Sequence, residues 1–151
     1  MAGILISNGT FRGVAPEVDL SVALALDSDG TSGSTESVAQ AIRWCRITQK
    51  VDIISLSLGG SPNEAFSSSN SQTNLAVQEA LDSGIFVVAA AGNTGLELDV
   101  NDVSQPSSIE GVISVGAISK SGNMWGSSAY GSSVDPANGC LLYTSDAADD
   151  D

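Results

Sequence analysis

The sequence predicts an α/β fold, a three-layer sandwich in which helices enclose a parallel sheet. Three observations lead there. Runs with strand character alternate with helical runs along the 151 residues, the pattern that needs crossovers between parallel strands. The strand at 85 to 91 is apolar throughout, as expected where both faces of a sheet are covered. Two strands end in glycine-rich turns, SLGG and AAAGN, and ligands of parallel sheets gather outside the carboxyl ends of strands.

The elements follow in order. VDLSVALAL (18 to 26) alternates, with Val18, Leu20, Val22, Leu24 and Leu26 on one side and small residues on the other, which predicts a first strand. DSDGTSGS is turn. TESVAQAIRWCRI reads as a helix, because Val38, Ala41, Ile42 and Cys45 recur at three- and four-residue steps, with Ser34 or Thr35 as cap. VDIISLSL (51 to 58) is a second strand ending at Gly59-Gly60. SPNEAFSSSNSQ is polar loop, and NLAVQEALDS (74 to 83) is a helix stopped by Gly84, where the chain must turn left-handed. IFVVAAA (85 to 91) is a third strand and VISVGAI (112 to 118) a fourth. Crossovers between them should be right-handed.

Composition narrows the function. A hydrophobic content of 42% with 15% charged residues is that of a globular chain long enough to bury a core. A net charge of −13, with five scattered basic residues, gives nothing to neutralise phosphates, so no nucleic-acid partner is expected. No apolar run is long enough to span a bilayer. Cys45 and Cys140 are too few for a disulfide framework, and Cys45, beside Trp44, reads as a buried free thiol. There is no histidine, which removes the commonest general base and the commonest metal ligand together.

Three stretches in order resemble the subtilisin-like serine proteases, the subtilases. RGVAPEVDLSVALAL resembles that family's entry into a core strand. AIRWCRITQKVDIISLSLGG resembles its "DVInmSLG" strand, and AVQEALDSGIFVVAAAGNTG its "VaAAGN.G" strand and turn. QPSSIEGVISVGAI then resembles "yPa.yp.VIaVGA", with Pro106 where the family has a proline usually in a cis peptide. Together the motifs cover residues 1 to 139 and predict a partial catalytic domain there.

The resemblance implies roles residue by residue. Asn93 stands where the family has the asparagine that donates to the oxyanion of the tetrahedral intermediate. Ala90, Ala91 and Gly92 match one edge of the primary specificity pocket, where Gly92 would keep a Cβ out of the substrate's way. Ser57, Leu58 and Gly59 match the opposite wall. Ser32 and Gly33 match the segment that pairs with substrate backbone by strand addition. The implied partner is a polypeptide substrate, and the implied location of the intact protein is secreted or in the cell envelope.

The resemblance also marks what the chain lacks. The family's reaction needs a serine nucleophile, a histidine base and an aspartate that orients it. The aspartate and histidine motifs precede anything present, and the "GTSMAxP" serine should follow VDPANG, so the fold is expected to be truncated at both ends. Gly30-Thr31-Ser32 spells part of that serine motif, but SGSTES follows it and no base is present, so Ser32 is not read as a nucleophile. The fragment alone is expected to be inactive; the alternative is a peptide-binding module that never had a triad. The family's aspartate strand would lie between the strands at 18 to 26 and 51 to 58. Without it the exposed apolar edges should make the isolated chain express poorly or behave as a molten, dye-binding species.

The remaining candidates read blandly. No cofactor is expected: Asp27-Ser28-Asp29-Gly30 echoes a calcium loop but has Val38 at its twelfth position, and the family's calcium loop is shortened here to ILISNGTFR. Glu97, Asp99 and Asp102 form a solvated acidic loop. Asn8-Gly9-Thr10 is a glycosylation sequon by spelling. Neither GxGxxG nor a Walker A sequence occurs, which leaves a nucleotide-binding α/β domain without its phosphate loop. CLLYTSDAADDD (140 to 151) breaks the Ser/Gly-rich composition and resembles the in-frame translation of a sequencing adapter, so it is set apart from the native domain.

Overall fold

A computed structural model describes residues 2–26, 34–60, 71–95, 103–129 and 140–145. Its elements are α1 (Ala2–Ile6), α2 (Thr35–Trp44) running into a π-helical turn (Cys45–Gln49), β1 (Ile53–Leu56), α3 (Gln72–Asp82), β2 (Phe86–Ala90), β3 (Ile113–Ile118) and β4 (Cys140–Ser145). The four strands form one sheet in the order β1-β2-β3-β4, every pair parallel. The expected parallel α/β arrangement is therefore present.

Helix boundaries have local causes. Ser34 caps α2, its hydroxyl accepting from the Ser37 N–H, and Ser71 caps α3 by accepting from the Asn74 N–H. The helix begun by α2 continues through the π turn and closes at Lys50, which takes a left-handed conformation with φ 53°. α3 ends before Gly84, whose φ of +81° is the left-handed turn expected there.

α2 and α3 pack side by side against one face of the sheet. Val38, Ala39 and Ile42 from α2 meet Ala76, Val77 and Ala80 from α3 over Ile54 and Leu56 of β1 and Val87 and Ala89 of β2. The pairing of Ile54 with Val87 and of Leu56 with Ala89 puts these side chains in register on one face. Arg43 and Arg46 both reach Glu79, at 3.0 and 2.8 Å, and tie the two helices together outside this core.

Two expectations differ from the structure. The segment 18–26 is no strand: it runs without a ladder partner, and Val18, Leu20, Val22 and Leu24 are all exposed. Alternation alone cannot make a strand, because its backbone groups need a neighbour to bond, and no neighbour for this segment lies among the described residues. Only Ala25 and Leu26 pack on the core, and Ser21 Oγ donates to Gln49 Oε1 at 3.0 Å. Second, β2 is covered on one face only. Val87 and Ala89 are buried, whereas Phe86 is 64% exposed, Ala90 is exposed and Val88 is only half-buried. Residues 140–145, set apart on composition, run parallel to β3 from Ile113↔Cys140 to Ile118↔Ser145. An open strand edge accepts whatever strand-forming run reaches it, and CLLYTS is such a run.

Candidate active site

β1 and β2 end side by side, because Leu56 pairs with Ala89. The turns that leave them must therefore be neighbours. They enclose a cleft of about 340 Å3 lined by Ser57, Leu58, Gly59 and Gly60 from one turn, Ala90, Gly92, Asn93 and Thr94 from the other, and Ser104. No lining side chain carries a formal charge, so the cleft offers hydroxyls, one carboxamide and backbone to a ligand. Asn93 is exposed at its rim, and its carboxamide bonds no group among the described residues. That leaves its two N–H donors free for a ligand.

The expected residues divide by position. Ser57, Leu58, Gly59, Ala90, Gly92 and Asn93 all line the cleft. Ala91 does not: it is 1% exposed and packs with Val103 and Ala129 behind the turn. Strand alternation explains this, since a residue between two cleft-facing neighbours faces the other way. Ser32 and Gly33 lie outside the described residues, as does the acidic loop with Glu97, Asp99 and Asp102.

Ser104 was not foreseen from the sequence. It is 5% exposed, its N–H donates to Ala91 O at 2.8 Å, and its carbonyl accepts from Ser107 Oγ at 2.7 Å. It wedges between the two turns. A Cβ on Gly92 would run into Ser104 Oγ, and one on Gly59 would come within 3.2 Å of Ser104 Cβ. Gly92 also has φ +111°, a conformation side chains rarely adopt. Its glycine is thus required by the protein's own packing. The signal was faint, because Ser104 is far along the chain and belongs to no motif; only Pro106 nearby marked the region. The Gln105–Pro106 bond is cis, as the family pattern suggested.

Beyond the turns, Gln105 bridges Gly60, whose N–H donates to Gln105 O at 3.0 Å, so the loop from 103 to 109 closes the floor. Cys45 is half-buried and packs against the main core; burial raises its thiol above the ordinary range, which keeps it protonated and inert. Among the described residues no three His, Cys, Asp or Glu side chains cluster closely enough to hold a metal ion, and no helix is long and apolar enough to cross a membrane.

Comparison with known proteins bears on this site. The model of the subtilase family matches residues 1–145. A thermostable alkaline protease of Halalkalibacterium halodurans is 40% identical over 123 residues, covering 82% of this chain and 31% of that protein. The major intracellular serine protease of Bacillus subtilis is 39% identical over 114 residues, 75% of this chain and 34% of that protein. The chain therefore spans about a third of the length of these relatives. Among solved structures, the self-cleaved protease domain of PatA superposes with a TM-score of 0.77 over 93% of this chain and 51% of that one, at 23% identity, a likeness of fold.

Proposed function

The chain belongs to the subtilase family, and from that premise we propose that its cleft holds a polypeptide for a serine endopeptidase, with Asn93 as the oxyanion donor. One observation carries the reading: the free carboxamide of Asn93 stands at the rim of a cleft built by the ends of two adjacent parallel strands. In acyl transfer the carbonyl oxygen of the scissile bond becomes an oxyanion when the nucleophile adds. A donor already in place stabilises that charge without reorganising at the moment of reaction. Asn93 Nδ2 would donate to it while the substrate residue before the scissile bond sits between Ser57–Gly60 and Ala90–Gly92. The neutral lining, with Thr94 beside Asn93, suits an uncharged side chain there.

The chain holds no histidine, the usual base of this chemistry, and none of its serines is read as the nucleophile. On this reading the chain is a cleft and a donor without the groups that break the bond, inactive by itself. The net charge of −13 supports the reading that nucleic acid is no partner. The intact protein is secreted or held in the cell envelope, although one relative's name places that relative inside the cell. Calcium and other cofactors play no part in the reading. Residues 140–151 are read as foreign to the domain; the pairing of residues 140–145 with β3 fits an open edge, which accepts any strand-forming run.

Long-read sequencing across both ends of the gene supplies the complete protease or shows that none exists. In the complete protein, Asn93→Ala is expected to lower kcat about 10²–10³-fold with KM little changed, a magnitude known from a subtilisin and carried over unchanged. The 151-residue chain should take up no fluorophosphonate. An unchanged kcat removes Asn93 from the reaction, and stoichiometric labelling of a mapped serine removes the inactivity. A gene that starts and stops at these residues, with no triad, instead favours a peptide-binding module.

A further inference from the structure

The turn that presents Asn93 is held from behind by a segment that the motifs did not single out. The Ala129 N–H donates to Gly92 O at 2.9 Å, and the Gly95 N–H donates to Ser127 O at 3.1 Å. The two bonds grip the turn on either side of Asn93. Gly95 fits only because it lacks a side chain: a Cβ there would run into Ser128 O and lie 2.8 Å from Gly126 O. The gripping segment, 125–129, is in turn fixed to the end of β3. The Trp125 N–H donates to Ala117 O at 2.9 Å, and the Ala117 N–H donates to Ser128 Oγ at 3.0 Å.

Every link in this chain is backbone to backbone except the last. Ser128 is 3% exposed, and its hydroxyl both accepts from the Ala117 N–H and donates to Ala129 O at 3.3 Å. We propose that Ser128 is a positioning residue for Asn93, latching segment 125–129 to β3 so that its backbone bonds to Gly92 and Gly95 hold the carboxamide at the cleft rim. The proposal rests on the reading of Asn93 as oxyanion donor for its catalytic meaning, and on geometry alone for the latch. A donor acts on a developing charge only if it is already in place. A turn that carries an exposed donor needs such a brace, since displacement of a catalytic group by about 1 Å can cost about a hundredfold in rate. Without the hydroxyl, the Ala117 N–H loses its partner and Ala129 its second tie, and the bonds flanking Asn93 are free to open.

The latch is tested in the 151-residue chain, unaltered and as Ser128→Ala, by amide hydrogen exchange and by the Asn93 side-chain amide signals in nuclear magnetic resonance. Gly95 and Ala129 report on the latch; Val77 and Val87, in the main core, are the reference. Ser128→Ala is expected to speed exchange at Gly95 and Ala129 about tenfold or more, the effect of one lost buried hydrogen bond. Val77 and Val87 should be unchanged, and the Asn93 amide signals should shift or broaden. Equal exchange at Gly95 and Ala129 in both forms overturns the proposal. So does an equal rise at all four positions, or an unaltered chain in which Gly95 and Ala129 are unprotected. In the complete protease, Ser128→Ala should lower kcat about tenfold or more at unchanged KM; a change in KM alone overturns the positioning role. Asn93→Ala serves as control, because an effect there with none from Ser128→Ala defeats the latch and leaves the donor standing.

Discussion

At the scale of single residues, the cleft is governed by what two glycines leave room for. Ser104 fills the space beside Gly92 and Gly59, so the wall and the floor are one packed unit. Gly92→Ala meets two penalties: a backbone at φ +111° and a collision with the Ser104 hydroxyl. A loss of about 1–3 kcal/mol in unfolding free energy is expected, read as a lower urea midpoint. Adding Ser104→Gly should recover part of it by removing the collision, and leave the part due to the backbone. Complete recovery, or none, would show that one of the two causes is absent.

At the scale of elements, α2 and α3 are joined by their apolar faces and by the ion pairs at Glu79. The hydrogen bond from Arg43, with the charges of Arg43 and Arg46, holds the Glu79 carboxyl below its usual range. A carboxylate depressed in the folded state contributes stability above its unfolded pKa and loses it as pH falls through the folded one. The group is 39% exposed, so solvent and salt screen the pairs and the contribution is below about 1 kcal/mol. Glu79→Gln should therefore be slightly less stable than the unaltered chain at neutral pH, and the two urea midpoints should converge in acid and in high salt. A difference that persists in acid would place the effect in packing instead.

At the scale of the whole molecule, the described residues cover one face of β1 and β2 and leave much of the other exposed. Helices cover Ile54, Leu56, Val87 and Ala89, whereas Ile53 is 61% and Phe86 64% exposed on the opposite side, and Val22 and Leu24 stand exposed in a segment with no partner strand among the described residues. Contiguous exposed apolar surface binds apolar probes and other copies of itself. The isolated chain should bind a hydrophobic dye strongly and sediment with rising mass as concentration increases. A chain that stays monomeric at every concentration and binds no dye would contradict this.

Much of the architecture was legible because it rests on local rules. The caps at Ser34 and Ser71, the stop at Gly84 and the period of Val38 and Ile42 act within a turn or two of chain, so the sequence determined α2, α3 and the cores of β1 to β3 by itself. It also brought SLGG and AAAGN to one place, since adjacent parallel strands present their ends together. The segment 18–26 was misread for the converse reason: alternation describes which side chains could face a core, but a strand exists only where another backbone completes its hydrogen bonds. The tertiary structure alone decided that Ala91 faces away from the cleft, that Ser104 is its floor, and that Ser128 ties the Asn93 turn to β3. Each of these depends on contacts between residues distant in the chain, and the close packing that selects them leaves no periodic trace in the sequence.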